Sequence, residues 1–352
     1  MGLPGTALLP RSLYFSPHGV EWECRRSTAV TEDFVPSEDV YVMSKLSKRL
    51  YGQLTRLGRL RSPKESALFQ RLWNDAVMQY TRTSLTYSSD KLPALAGVAA
   101  NAEKRFKIRA SFGLWLRYFT NELLWITQDG DQGRESTRVP GRAPTWSWAS
   151  IDGAVEMHHI AGSYGLSTKE KEYMAKVVVA PSPTSFTSPP LAWAPIRLRA
   201  PLVSCIFRSP GMPTIDCDVA QLGHAAVAYA DEHGIYRMCR FHADVALSSN
   251  RHLMCLLVKR VIYSERRGRL DSAGLQTTKI LVEDAGLVLA STSSHCQHER
   301  IGLYNESAEV GIQRWREDIP AIQWSALILR PTEGLKLLRS EIGVTEKAVE
   351  VV

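Results

Sequence analysis

The sequence predicts an α+β protein, a helical region followed by a β-rich C-terminal domain of antiparallel, sandwich- or barrel-like form. Three observations predict it. Apolar residues recur three and four apart between Ser66 and Arg82. From Ala143 onward the pattern changes to short runs rich in Val, Ile and Tyr, separated by turn residues. Within that part, Ile196-Arg197-Leu198-Arg199 alternates apolar and basic residues, as a half-buried antiparallel strand does. The chain has 352 residues, 44% hydrophobic and 22% charged, which suffices for two domains each with its own core.

Each element follows from local chemistry. Leu13, Phe15 and Val20 to Trp22 are apolar around the turn Pro17-His18-Gly19, which predicts a hairpin. Pro36-Ser37-Glu38 breaks that segment. Residues 39–138 are expected to be helical. Val42, Leu46, Leu50 and Leu54 give a weak stripe, and Lys45, Lys48, Arg49, Arg56, Arg59 and Arg61 make its other face a basic, solvated one. Leu68, Phe69, Leu72, Trp73, Ala76, Val77 and Tyr80 form the clearest stripe, with Pro63, Lys64 and Glu65 where a first turn wants them. Ser88-Ser89-Asp90 with Lys91-Leu92-Pro93 reads as a turn and helix start, and Ala94 to Phe106 favours helix. Phe112, Trp115, Leu116, Phe119, Leu123 and Leu124 suggest one more helix ending near Trp125. Residues 139–335 form the expected β-rich domain, with strands around 175–179, 225–229, 236–241, 253–263, 278–282, 287–290, 301–304 and 326–329. Residues 336–352 are expected to be a tail with a short helix.

Composition narrows the function. The net charge of +7 is spread along the chain rather than gathered with aromatics, so it predicts a basic solvated surface and no nucleic-acid partner. No apolar run approaches the length of a membrane span, so no membrane partner is expected. The six cysteines, Cys24, Cys205, Cys217, Cys239, Cys255 and Cys296, show no dense, even spacing. Reduced thiols in a cytoplasmic protein are the reading they favour. Met1-Gly2-Leu3-Pro4-Gly5-Thr6 formally fits an acylation pattern, although Pro4 stiffens the peptide, and Asn305-Glu306-Ser307 fits a chance glycosylation triplet.

Catalytic motifs are missing from the sequence. There is no Gly-x-Ser-x-Gly elbow, phosphate-binding loop or dinucleotide fingerprint. Asp129-Gly130-Asp131-Gln132-Gly133 lacks the distal Glu of a calcium loop, because position 140 is Pro. Cys239-x-x-His242 and His252-x-x-Cys255 make a four-ligand set on paper. Residues three apart on a regular strand point to opposite faces, so core cysteines are the better reading. His295-Cys296-Gln297-His298 reads as a hairpin loop and His158-His159 as surface. We therefore assign no catalytic, cofactor-binding or metal-ligating residue, expect no cofactor, and expect a non-enzymatic protein.

The most distinctive run is Arg142-Ala143-Pro144-Thr145-Trp146-Ser147-Trp148-Ala149-Ser150-Ile151-Asp152-Gly153. If extended, Trp146 and Trp148 share one face while Ser147 and Ala149 face the other. Both indoles then anchor the β domain against the helical layer, and Arg142 and Asp152 pair to fix the turn.

This run resembles the signature that follows the domain of fungal heterokaryon-incompatibility proteins. Leu8-Leu9-Pro10-Arg11-Ser12-Leu13-Tyr14-Phe15 with Val20-Glu21-Trp22-Glu23-Cys24 resembles the closing segment of that domain. Ser89-Asp90-Lys91-Leu92-Pro93-Ala94-Leu95-Ala96-Gly97, then Gly113-Leu114-Trp115 with Leu123-Leu124-Trp125, resemble the next landmarks. Gly286-Leu287-Val288-Leu289 and Arg300-Ile301-Gly302-Leu303 resemble the late ones. The resemblance marks Trp146, Ser147, Trp148, Asp152 and Gly153 as signature residues of structural kind. It implies that residues 1–38 are the end of the incompatibility domain, whose upstream part is expected to be missing. The function it implies is a recognition or regulatory module of fungal self/non-self recognition, with a full-length incompatibility protein or another protein as partner. The alternatives are an accessory protein or enzyme of a fungal metabolic gene cluster, or a truncated, non-functional remnant. The enzyme alternative requires a pocket that gathers polar groups near Trp146, Trp148 and Asp152.

Overall fold

The computed structural model describes residues 11–16, 19–24, 28–30, 48–83, 85–128, 136–157, 167–181, 195–208, 213–214, 217–221, 226–230, 236–245, 247, 252–270, 276–292, 297–315 and 345–351. It is an α+β protein. The chain divides into two compact units. The first comprises Met1–Met157, Ala180–Pro195 and Asp244–Ala246, the second His158–Val179, Ile196–Ala243 and Leu247–Val352.

The first unit opens with a three-stranded antiparallel meander, β1 (Arg11–Ser16), β2 (Gly19–Cys24) and β3 (Thr28–Val30). Ser16 pairs with Gly19 where the sequence places the hairpin. Helix α1 (Lys48–Arg56) buries Leu50 and Leu54; Val42 and Leu46 of the same stripe lie outside the described residues. Helix α2 (Pro63–Thr81) starts on a capping box. Ser62 Oγ accepts from Glu65 N–H at 3.2 Å, and Ser62 N–H donates to Glu65 Oε2 at 2.9 Å. Pro63 at the first helical position costs no hydrogen bond. The stripe of α2 is buried at Phe69, Leu72, Trp73, Ala76, Val77 and Tyr80, while Leu68 remains exposed. Two 3-10 turns, Ser88–Lys91 and Pro93–Leu95, lead into α3 (Ala96–Phe106). Lys107 closes α3 in the left-handed conformation, with its N–H on the Glu103 carbonyl at 3.0 Å.

The helix expected over 112–125 does not form. That stretch holds β4 (Ala110–Ser111), β5 (Leu114–Trp115), a 3-10 turn at Leu116–Tyr118, the single-turn helix α4 (Phe119–Glu122) and β6 (Trp125–Thr127). Phe112 and Gly113 adopt φ of 46° and 89°, which turns the chain and stops a helix from propagating. Two small ladders complete the unit. In one, β7 (Thr137–Arg138) pairs with β8 (Ile151–Asp152); in the other, β6 pairs with β9 (Val155–Met157). The unit boundary thus falls after Met157 rather than at 138/139, and the tryptophan run belongs to the helical unit.

The second unit contains β10 (Ser167–Tyr173), β11 (Lys176–Val179), β12 (Ile196–Arg208), β13 (Pro213–Thr214), β14 (Cys217–Gln221), β15 (Ala226–Ala230), β16 (Tyr236–Ala243), β17 (His252–Leu270), β18 (Gln276–Ser291), β19 (Gln297–Trp315) and β20 (Thr345–Val351). Its main sheet runs β10-β17-β18-β19-β16-β15-β12-β11, with β20 beside β12 and β19. An additional antiparallel pairing of β12 with β17, from Leu202↔Leu256 to Ile206↔His252, closes the path β12-β15-β16-β19-β18-β17 on itself. The result is a six-stranded antiparallel barrel, an arrangement that leaves those strands no open edge.

All six strands fill the barrel interior. Cys205, Val227, Cys239, Phe241, Leu253, Cys255, Val288, Ala290, Ile301 and Tyr304 form one buried cluster. Val203, Cys205 and Phe207 point to it at period two, while Ile206 between them is exposed. A bulge at the Val288/Leu289 step of the β18–β19 ladder lets Ile301 and Tyr304 both turn inward. Gly286 and Gly302 admit close approach of neighbouring strands. A Cβ on Gly286 would collide with the Leu256 carbonyl, and one on Gly302 with the His242 carbonyl.

Residues 345–351, expected as part of a tail, form β20, which pairs with β12 from Ile196↔Val351 to Leu202↔Thr345. Val349 and Val351 are buried on it, and Glu350 on the opposite face pairs with Arg197 at 3.2 Å. Alternation of this kind belongs to a half-buried strand. Residues 316–344, including the strand expected at 326–329, lie outside the described residues.

Candidate functional site

The tryptophan run is the hub of the first unit. Trp146, Ser147 and Trp148 are fully buried, as are Ala149 and Ser150. The run is not extended. Ser147 caps a 3-10 turn over Trp148–Ser150, and its Oγ accepts from Ala149 N–H at 3.0 Å. The same hydroxyl donates to the Phe112 carbonyl at 2.6 Å. The two-face arrangement expected of an extended strand is therefore replaced by a turn with all four residues inside.

Each indole has its own surroundings. Trp146 is held edge-on by Phe112 and Phe119, with ring centres 5.6 and 5.4 Å away. Its carbonyl accepts from the Trp125 indole N–H at 2.9 Å. Trp148 meets Tyr80 edge-on at 6.4 Å and donates to the Gly113 carbonyl at 3.2 Å. These contacts lie inside the first unit, so the indoles anchor the helical unit's own core. Edge-to-face ring pairs add about 0.5–1.5 kcal/mol each beyond area burial. A second aromatic group, Phe69, Trp73, Phe106 and Trp115, packs at ring distances of 4.9 to 5.5 Å.

Beside that group sits Glu122, a buried carboxyl that sequence reading did not single out. One oxygen accepts from the Trp115 backbone N–H, and the other, Oε1, has no hydrogen-bond partner. Burial pushes its pKa well above the ordinary carboxylate value, against the opposing effect of that N–H.

Arg142 and Asp152 do pair, at 2.5 Å between Nη1 and Oδ1. The antiparallel step Thr137↔Asp152 fixes the backbone of Asp152, and Gly153 next to it has φ of 136°. A Cβ at 153 would fall 2.7 Å from Ser136 Oγ, so glycine is required there. Arg142 is 7% exposed, and its Nε donates to the Ala149 carbonyl at 2.6 Å. Nη1 also reaches the Ser88 carbonyl at 3.3 Å, while Nη2 is buried with no partner. Asp152, by contrast, has a side chain 45% exposed.

Lys91 joins this cluster. It is 4% exposed, at the end of the 3-10 turn whose other residues, Ser88, Ser89 and Asp90, lie at the surface. Tyr80 Oη donates to the Lys91 carbonyl at 2.7 Å, which fixes the turn on α2. Burial, and next the Arg142 charge, bring the Lys91 pKa down to about 8, with Asp152 acting the other way. Burial likewise raises the Tyr80 phenol above its ordinary value. Lys91, Arg142 and Tyr80 thus gather near Trp148 and Asp152. Lys91 reads in sequence only as part of a turn and helix start, and its distant neighbours bury it.

The cysteine and histidine pairs part company in the barrel. Cys239 and Cys255 are core residues, whereas His242 is only half-buried. Among the described residues, no group of three or more His, Cys, Asp or Glu is placed to hold a metal ion. Cys205, Cys239 and Cys255 are buried, and Cys24 is half-buried. Residues Met1–Thr6, Asp129–Gly133, His158-His159 and Cys296, and the side chains of Cys217 and His252, lie outside the described residues. No helix among the described residues is long and apolar enough to cross a membrane. Comparison with protein-family models, curated proteins and solved structures finds no match.

Proposed function

We propose that this chain is a non-enzymatic recognition or regulatory module, of the kind the resemblance to heterokaryon-incompatibility proteins implies, acting by binding a full-length protein of that family. One observation carries the reading. Three of the stretches that resemble family landmarks, those at or beside residues 89–97, 113–125 and 142–153, are far apart in sequence, yet they meet in one hydrogen-bonded core. Trp148 reaches Gly113, Ser147 reaches Phe112, Trp125 reaches Trp146, and Arg142 reaches Ser88. Residues that depend on one another in space are the ones a lineage keeps together, so their joint presence supports common descent better than any single run does. The core is structural, which suits a module whose work is done by surfaces.

The test is direct binding. The full chain, purified and tagged, is mixed with a recombinant full-length incompatibility protein from the same genome, and the complex is measured by calorimetry. Saturable binding that survives 0.5 M salt supports the proposal. No heat and no co-elution with any such protein of that genome overturns it. Intact-mass measurement of the native protein adds a separate check. A mass of 39.3 kDa is expected of a module acting in this form. A larger mass with extra N-terminal peptides assigns the function to the longer protein.

A further inference from the structure

We propose that Lys91 and Arg142 form a binding site for a small oxyanion, a phosphate or carboxylate group, in which Asp152 stands as a displaceable internal counter-ion. Three observations build the site. Two cationic side chains are almost wholly buried together, Lys91 at 4% and Arg142 at 7% exposure. The carboxylate that serves them, Asp152, is itself 45% exposed on its side chain and bonds only one guanidinium nitrogen, Nη1. Arg142 Nη2 is buried with no acceptor.

Buried charges are ordinarily paired, and an orphaned donor on a charged group costs more than one on a neutral group. Here two positive groups face one half-solvated negative group. The other acceptors on Arg142 are neutral carbonyls of Ala149 and Ser88. The cluster therefore keeps an uncompensated positive charge and an unused donor. A guanidinium fork matches the spaced oxygens of phosphate or carboxylate, and an adjacent ammonium adds a point charge. Asp152 is the group at which solvent meets the cluster. Swinging it toward the solvent it already meets frees Nη1 beside the unused Nη2, and the incoming anion offsets the loss of Asp152 to the buried guanidinium. Burial first, and then the Arg142 charge, lowers the basicity of Lys91, which places the two cations within electrostatic reach of each other.

The reading stands apart from the recognition proposal, since it concerns a small ligand of the first unit. It is tested on the full chain with inorganic phosphate and, in a separate arm, acetate, at ionic strength held constant with chloride. Binding is read by calorimetry and by the shift of the thermal midpoint. Saturable binding of either anion is expected, and the two arms tell a phosphoryl-selective site from a carboxylate-selective one. Asp152→Asn removes the competitor and is expected to bind about tenfold tighter. Lys91→Met is expected to bind at least about tenfold more weakly while remaining folded. Absence of saturable binding in both the parent chain and Asp152→Asn overturns the proposal. So does an Asp152→Asn variant that binds no better than the parent, since a merely structural ion pair predicts lower stability and unchanged binding.

Discussion

The indole N–H of Trp148 donates to the carbonyl of Gly113, and the same glycine gives up the space that the indole fills. The bond is 3.2 Å long, and a Cβ on residue 113 would fall 2.8 Å from the ring. Gly113 also has φ of 89°, a backbone region that alanine avoids. The Gly113→Ala substitution therefore meets a steric and a conformational penalty at once. The expected loss is about 2–5 kcal/mol, combining overpacking with left-handed strain. Urea denaturation followed by tryptophan fluorescence measures it, because Trp148 lies at the point of conflict. A loss below about 0.5 kcal/mol, the range of ordinary surface changes, would count against the packing described here.

The barrel depends on glycine in a different way. Gly302 has no left-handed conformation; its constraint is spatial. A Cβ there would strike the His242 carbonyl and sit 2.5 Å from the Phe241 ring. Gly302→Ala is expected to part β16 from β19, where Ala243↔Gly302 is the end of the ladder. The expected cost is about 1–3 kcal/mol. Amide exchange should accelerate in β16 and β19 before it changes in α2. Uniform acceleration over both units would argue against a local closure.

Glu122 makes the first unit sensitive to alkali. Its folded pKa is raised above the ordinary 4.5, so the folded state holds the proton where the unfolded chain has released it. The stability tied to the neutral carboxyl is full below the unfolded value. It declines as pH climbs from about 4.5 through the raised folded value. Glu122→Gln keeps a neutral acceptor for the Trp115 N–H and removes the titration. The variant is expected to gain on the parent as pH rises, with the difference read from thermal midpoints between pH 4 and 9. Parallel curves for the two proteins would mean that the carboxyl is not buried as described.

How much of this was legible in the sequence depends on how local each cause is. The cap of α2 is written in Ser62, Pro63 and Glu65, and the first hairpin in Pro17-His18-Gly19, so both elements appear where the sequence places them. The alternation at Ile196–Arg199 likewise marks β12. The failed helix over 112–125 shows the opposite case. Its apolar residues fit a helical period, but Phe112 and Gly113 turn the chain so that Ser147 and Trp148 can reach their carbonyls. No window around residue 112 contains that information. Barrel closure is equally remote, since Val203↔Cys255 joins residues half a hundred apart and turns a sheet into a ring. Of the candidate site, the Arg142–Asp152 pair was readable from its spacing about the turn. The burial of Lys91 was not, because Tyr80 on α2 and Arg142 on the tryptophan run create it together.

That burial carries the last prediction. The Lys91 pKa falls from 10.5 to about 8, with burial as the main cause. The charged groups bearing on it are Arg142, which opposes the proton, and Asp152, which favours it; Tyr80, whose phenol stays protonated, and Asp90 flank the turn. A lysine with a depressed folded pKa sheds its proton in the folded state first. Between about pH 8 and 10.5 the unfolded chain binds the extra proton, so stability at this position rises with pH in that window. Below about pH 8 the penalty for burying the ammonium is complete, on the order of 3 kcal/mol. Lys91→Met keeps the length of the stem and omits the charge. It is expected to be more stable than the parent at pH 7, by roughly 1–3 kcal/mol once strain from repacking is allowed for. The gain should shrink as pH passes 8 toward 10. A variant less stable than the parent at pH 7 would show that the ammonium is compensated in the free protein, and the excess charge assigned to this cluster would then be absent.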